Sequence, residues 1–248
     1  MKVSKGKWEK YNIMKEDREI AKHLPDTRIL TDGSLWEMVK LYRCVVLKPS
    51  HGSFGSGIMK VSILVDGSYE VHFENKREVF RNKEQTLKYI KEICLPQKRY
   101  IVQQWIPLAV TNKPARPFDL RIMVQRMKKS PDWVMTGHLA KVAARGYFIT
   151  NVVRTLIPIQ EAIDGSPVKS NITSTPLLDI ERLALRVASQ LEKHSLNSRN
   201  IGLDMAFDKY GYIWIIEVNL NPHIEMFNYL KNKEMYNTVK FYKKGRAD

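Results

Sequence analysis

The chain has 248 residues, 44% of them apolar and 27% charged, which are ordinary values for a folded chain and exclude wholesale disorder. No apolar run approaches the roughly 18 residues of a membrane span, and no apolar segment follows the basic N-terminus as a secretion signal requires. Forty-one Lys and Arg against 26 Asp and Glu leave a net charge of +15, which draws polyanions without choosing among them. Two cysteines, Cys44 and Cys94, lack metal-ligand spacing and do not suggest a disulfide framework, so a reduced, cytoplasmic compartment is expected.

In chain order, a polar helical segment from Trp8 to Leu24 is closed by Pro25. Ser34-Leu35-Trp36-Glu37 reads as a capping box, with Leu35, Met38, Val39 and Tyr42 then at helical spacing. Cys44 to Leu47 reads as a buried strand running through Lys48-Pro49 into a glycine-rich loop, Ser50 to Gly57. A strand from Ile58 to Val65 turns at Asp66-Gly67 into another, Tyr69 to Phe73, and Glu84 to Cys94 reads as a helix. Beyond Pro96, strands are expected at Tyr100 to Trp105, Leu120 to Met127 and Trp133 to Val142. Thr175-Pro176 opens a long amphipathic helix. A last hairpin pairs Ile201 to Phe207 with Tyr212 to Val218. Strands and helices alternate without a regular βαβ rhythm, so the class is α+β. The expected divisions are a helical extension over 1–24, a small lobe over 25–95, a larger lobe over 96–231 and a basic tail over 232–248.

The last hairpin carries the clearest chemistry. A four-residue turn, Asp208 to Gly211, sets Phe207 opposite Tyr212 and Asp204 opposite Ile215. Alternation then puts Ile215, Glu217 and Asn219 on the face of Asp204, and Leu203, Met205, Phe207, Trp214, Ile216 and Val218 on a core face. Two carboxylates and an amide suit a hard cation such as Mg²⁺, and a pair of acids with no ion is the plain alternative. Upstream, Gly52, Gly55 and Gly57 with Ser53 and Phe54 bare the backbone N–H groups of a loop that can approach phosphate closely, and Lys48 supplies a point charge beside it. No Gly-Lys-Ser/Thr follows, the next element is a strand, and the catalytic-loop signatures of protein kinases are absent.

The segments "VVLKPSHGSFGSGIMKV", "YIVQQWIPL", "RPFDLRIMVQ" and "NIGLDMAFDKYGYIWIIEVNLNP" resemble successive motifs of the ATP-grasp superfamily, in particular its YheC/YheD-type group associated with bacterial endospore coats. The resemblance covers the chain from about Lys7 to Pro222. It implies a two-lobed ATP-grasp fold holding MgATP between the lobes. Lys48 would touch the α/β-phosphates, Gln103, Gln104, Trp105 and Ile106 would frame adenine, and Asp119 would hold the ribose hydroxyls. The glutamines' alternative is an ordinary core strand. Arg121, on the strand face of Asp119, would reach phosphate or the reacting acyl group; its alternative is an ion pair with Asp119. Lys141 and Asn151 would face phosphate, although Val152 to Leu156 replace the Gly-Gly pair that usually follows the asparagine. Lys7 resembles a first nucleotide lysine near the N-terminus, but lysines are too common there to single it out.

The reaction implied is ADP-forming carboxylate ligation through an acyl phosphate. The stretch preceding the small lobe, about 25 residues, is short for a domain that holds the acceptor. An acidic polymer or peptide is the first candidate acceptor, because the chain is so basic. The rivals are a spore-associated protein that binds nucleotide or a polyanion without turnover, and a nucleic-acid binder supported by charge alone.

Overall fold

The computed structural model describes residues 6–52, 55–145, 150, 153–172, 174–194 and 198–245. Two compact units emerge: one contains Gly6–Trp8 and Pro25–Ile106, and the larger contains Glu9–Leu24 and the chain from Pro107 onward. The helical segment at the start splits into α1 (Lys7–Lys15) and α2 (Arg18–Lys22). Asp17 starts α2, its carboxylate accepting from the backbone N–H groups of Glu19 and Ile20.

The first unit runs β1 (Thr27–Ile29), α3 (Asp32–Tyr42), β2 (Cys44–Pro49), β3 (Met59–Ile63), β4 (Tyr69–Phe73), β5 (Lys76–Phe80), α4 (Lys83–Ile93) and β6 (Tyr100–Gln104). Its antiparallel sheet has the order β1-β6-β2-β3-β4-β5. Helix α3 begins one turn earlier than its sequence suggests: Thr31 is the N-cap, and Ser34, the third helical residue, is its reciprocal partner rather than the cap itself. Strand β6 lies between β1 and β2, so the Tyr100 segment joins this sheet and not the unit beyond Pro96. Alternation buries Val45, Leu47, Met59, Val61, Val71 and Val102 against Leu35, Met38 and Val39 of α3 and Ile90 of α4. The opposite face presents Lys48, Lys60 and Gln103. The strand β5 has no apolar alternation to announce it; its Lys76, Arg77 and Glu78 are exposed along a charged sheet edge.

The larger unit continues with β7 (Phe118–Gln125), β8 (Val134–Ala143), β9 (Val153–Ile157), α5 (Ile159–Asp164), α6 (Pro176–Glu192), β10 (Asn200–Phe207), β11 (Ile213–Asn219) and α7 (Glu234–Lys244). Its antiparallel sheet has the order β11-β10-β7-β8-β9. Helix α6 starts at Pro176 as the sequence indicates, and its stripe of Ile180, Leu183, Ala184, Val187 and Leu191 is buried. A 3₁₀ turn, Glu225–Tyr229, and α7 cover one half of a sheet face, where Phe227 and Val239 pack on Met123 and Leu139. Gly137 permits that approach, since a Cβ there would lie 2.6 Å from Val239. The other half of the same face carries Asp119, Arg121 and Lys141.

The segment Glu9–Leu24 is part of this unit. Buried Lys10 donates to the carbonyl of Val218, between Glu217 and Asn219. Along the outer side of β11, the Ile215 N–H donates to the His23 carbonyl at 2.8 Å. The His23 Nδ1 lies 2.7 Å from the Ile213 carbonyl, and the Tyr212 hydroxyl donates to the Lys22 carbonyl. Among the described residues no helix is long and apolar enough to cross a membrane.

Candidate functional site

The hairpin β10–β11 is pinned at its turn by Asp208. Its carboxylate accepts from the backbone N–H groups of Tyr210 and Tyr212 and from Trp214 Nε1. Pairing then runs Phe207 with Ile213, Ala206 with Trp214 and Met205 with Ile215, until a bulge shifts the register and Asp204 faces Glu217. The register expected from the turn is therefore wrong. Ile215 is 2% exposed and lies opposite Met205 on the buried face, not beside Asp204, and Ile216 is the extra residue of the bulge. Trp214 is half-buried on the other side, opposite Ala206. One bulged residue nevertheless brings Glu217 and Asn219 to the face of Asp204, the carboxylates directly opposite rather than diagonal.

Strand β7 inserts beside β10 and sets Arg121 opposite Asp204. The guanidinium clasps the carboxylate with two bonds, Nε to Oδ1 at 3.0 Å and Nη2 to Oδ2 at 3.2 Å. Arg121 thus forms an ion pair with Asp204 rather than with Asp119, the partner expected for it. Strand β8 sets Lys141 opposite Asp119. The ammonium lies 3.2 Å from Asp119 Oδ2 and 2.9 Å from Asp204 Oδ1. Asn219 donates to Asp204 Oδ2 at 3.3 Å, and the Thr150 hydroxyl donates to Asp119 Oδ2. Asp119, Arg121, Lys141 and Asp204 are all buried, and their charges cancel.

Burial penalises the Asp204 carboxylate, but Arg121 and Lys141 outweigh that penalty and hold it below the usual carboxylate range. Burial likewise works against the Lys141 ammonium, and the two aspartates override it and raise its pKa. Asp119 differs: burial, the dominant influence, pushes its carboxyl up against the pull of Lys141. Its Oδ1 is buried without a partner among the described residues, an acceptor position suited to a hydroxyl donor. Among the described residues no three His, Cys, Asp or Glu side chains converge as a metal cluster. The oxygen-donor types of Asp204, Glu217 and Asn219 are those Mg²⁺ takes, and it needs few protein ligands, with water and phosphate supplying the rest.

In the first unit, Lys48 is buried and donates to Gln103 Oε1 at 2.6 Å. Gln103 Nε2 in turn donates to Thr27 Oγ1, and Thr27 donates to the Pro25 carbonyl. The Gln103 amide is thus oriented from both ends, with its oxygen on the lysine. The side chain and backbone of Gln104 both engage Asp26, the Trp105 N–H donates to the Cys44 carbonyl, and Ile106 is buried. Lys60 lies over the Trp105 ring, 5.3 Å from its centroid. Gly52, Gly55 and Gly57 all have φ between +69° and +148°, where side chains are strained. A Cβ on Gly57 would also meet the Tyr100 hydroxyl at 2.7 Å. Lys7 is tied to this loop, its Nζ donating to the Gly52 carbonyl at 3.1 Å. Ser53, Phe54 and Asn151 lie outside the described residues.

Sequence reasoning passed over Thr27, Lys60 and Thr150. Lys60 had a usable signal, because alternation from the strand after the glycine loop puts it on the face of Lys48. Thr27 and Thr150 had none, since each matters only through its partner.

Comparison with known proteins bears on this arrangement. A family model described as "YheC/D like ATP-grasp" matches residues 2–242. The chain is similar to the endospore coat-associated protein YheD of Bacillus subtilis (strain 168), 22% identical over 235 residues, covering 90% of this chain and 49% of that protein. It therefore spans about half the length of that relative. Among solved structures, N5-carboxyaminoimidazole synthetase from Staphylococcus aureus complexed with ADP superposes with a TM-score of 0.56 at 7% identity, covering 98% of this chain and 52% of that one. D-alanyl-alanine synthetase A from Vibrio cholerae O1 superposes with a TM-score of 0.53 at 13% identity, covering 96% and 65%. These likenesses show a shared fold.

Proposed function

The chain belongs to the YheC/D-like ATP-grasp family, and from that premise we propose that it binds MgATP and activates a carboxylate as an acyl phosphate for ligation. The observation that carries the reading is the convergence of Asp119, Arg121, Lys141, Asp204, Glu217 and Asn219 on one face of a single sheet. The synthetase titles of the structural neighbours support the reaction class.

In this reading the first unit supplies Lys48, oriented by Gln103, to the phosphates. The backbone of the Gly52–Gly57 loop adds N–H donors, and the segment Gln103–Ile106 frames adenine. The larger unit supplies Asp119 Oδ1 to a ribose hydroxyl, and Arg121 and Lys141 to the charge that develops on the transferring phosphoryl group. Asp204, Glu217 and Asn219 would hold Mg²⁺, which would supply positive charge to offset that of the phosphates. A carboxylate oxygen of the acceptor attacks the γ-phosphorus, the bond to the β–γ bridging oxygen breaks, and ADP leaves. An amine or other nucleophile then attacks the acyl carbon and inorganic phosphate departs. Both steps need positioning and charge neutralisation, with no protein nucleophile. An acidic polymer or peptide is the first acceptor to try, given the +15 charge.

Incubation with MgATP and a panel of carboxylates, with and without hydroxylamine, tests the reading. ADP, phosphate and a hydroxamate are the expected products. AMP in place of ADP would overturn the acyl-phosphate route. A chain that binds MgATP but yields no product with any acceptor would instead be a nucleotide-binding protein without turnover.

A further inference from the structure

Asp204 has no acceptor capacity left over. Its Oδ1 accepts from Arg121 Nε and Lys141 Nζ, and its Oδ2 from Arg121 Nη2 and Asn219 Nδ2. An ionised carboxylate offers about four lone-pair positions, and these donors fill them. Two of the donors are full cations at about 3 Å, which repel any dication approaching the same oxygens. Asn219 also turns its amide nitrogen to Asp204, as a hydrogen-bond donor.

Arg121 and Lys141 are also the groups assigned above to the phosphates. A polyphosphate offers each of them a stronger anionic partner than half of one carboxylate. Lys141 already leans on a second acid, Asp119, and so is not bound to Asp204 alone. We infer that the cation seat is closed by the chain's own Arg121 and Lys141, and that it opens when a bound polyphosphate draws them off Asp204. Divalent-cation binding is then conditional on nucleotide, and by linkage each raises the affinity of the other. This rests on the nucleotide reading above and adds to it an order of events and two residues that enforce it.

Mn²⁺ alone, followed by electron paramagnetic resonance, probes the seat without turnover or nucleotide. The wild-type chain is expected to bind Mn²⁺ weakly. Arg121→Gln is expected to bind it at least about tenfold more tightly, since a like charge beside the ion is removed. Lys141→Gln provides an independent second variant, and circular dichroism verifies that each folds. Adding Asp204→Asn to either variant should abolish the gain. Wild-type chain that binds Mn²⁺ as tightly as both folded variants would overturn the inference, as would a gain that survives Asp204→Asn. The two readings fail separately. Melting indifferent to MgATP sinks the nucleotide assignment and leaves the Mn²⁺ comparison intact; tight binding of Mn²⁺ to nucleotide-free wild type sinks the closed seat and spares the nucleotide assignment.

Discussion

Gly202 leaves the space that the guanidinium of Arg121 occupies: a Cβ at 202 would lie 3.0 Å from Arg121 Nη1 and 2.6 Å from the Pro222 Cβ. Gly202→Ala should therefore destabilise the chain by about 1–3 kcal/mol through overpacking. It should also loosen the clasp on Asp204. Urea unfolding measures the first effect, and a variant as stable as wild type would show that the Pro222 segment yields freely.

MgATP at 100 times its Kd should add about 2.7 kcal/mol of stability, visible as a raised melting temperature. Glu217→Gln and Asp204→Asn should cut the Mg²⁺-dependent part of that shift far more than binding of metal-free ATP. Asp208→Asn serves as the contrast. Its carboxylate holds the hairpin turn through three bonds, so it should cost stability and spare the Mg²⁺ dependence. Equal loss of Mg²⁺ dependence in all three variants would refute the division between site and turn.

Gln103→Leu removes an acceptor of Lys48 and the amide donor to Thr27. ATP affinity should fall, because the amide no longer holds the lysine in place for the phosphates. Gln103→Glu keeps the acceptor and should retain more of the binding than leucine does. Titration calorimetry of the two variants decides the matter: equal losses would mean that the amide does not orient the lysine.

Asp17 links α2 to α6, both oxygens lying 2.9 Å from Arg186 Nε. That bond is the main reason its carboxyl sits below its usual value of 3.8. A depressed folded-state pKa contributes stability that is present above the unfolded value and lost as pH falls through the folded one. Asp17→Asn should therefore lower the melting temperature at neutral pH, with the gap to wild type closing below about pH 3.8. A gap that stays constant down to pH 2 would contradict this account.

The face of Asp204, Glu217 and Asn219 was legible in the sequence for a reason partly accidental. The turn implied a register in error, and the bulge at Ile216 restored the parity that simple alternation assumed. Lys48 beside a glycine loop was legible because both signals are local. The clasp of Arg121 on Asp204 was not, because it depends on β7 lying next to β10, a pairing between strands about 80 residues apart that no local pattern encodes. The same holds for Lys48 and Gln103, joined by the insertion of β6 between β1 and β2. Strand β5 escaped notice because a charged, exposed edge lacks the apolar rhythm that identifies strands.

The engagement of β11 by Lys22 and His23 limits how these chains can associate. A sheet with two open edges can add neighbours without end, as fibres do. Here the backbone groups of Ile213 and Ile215 that face outward are already taken by His23. Among the described residues, the other edge strand of this sheet is β9, whose first three residues are exposed. Two chains joined there would consume both available edges, so growth through this sheet would stop at a pair.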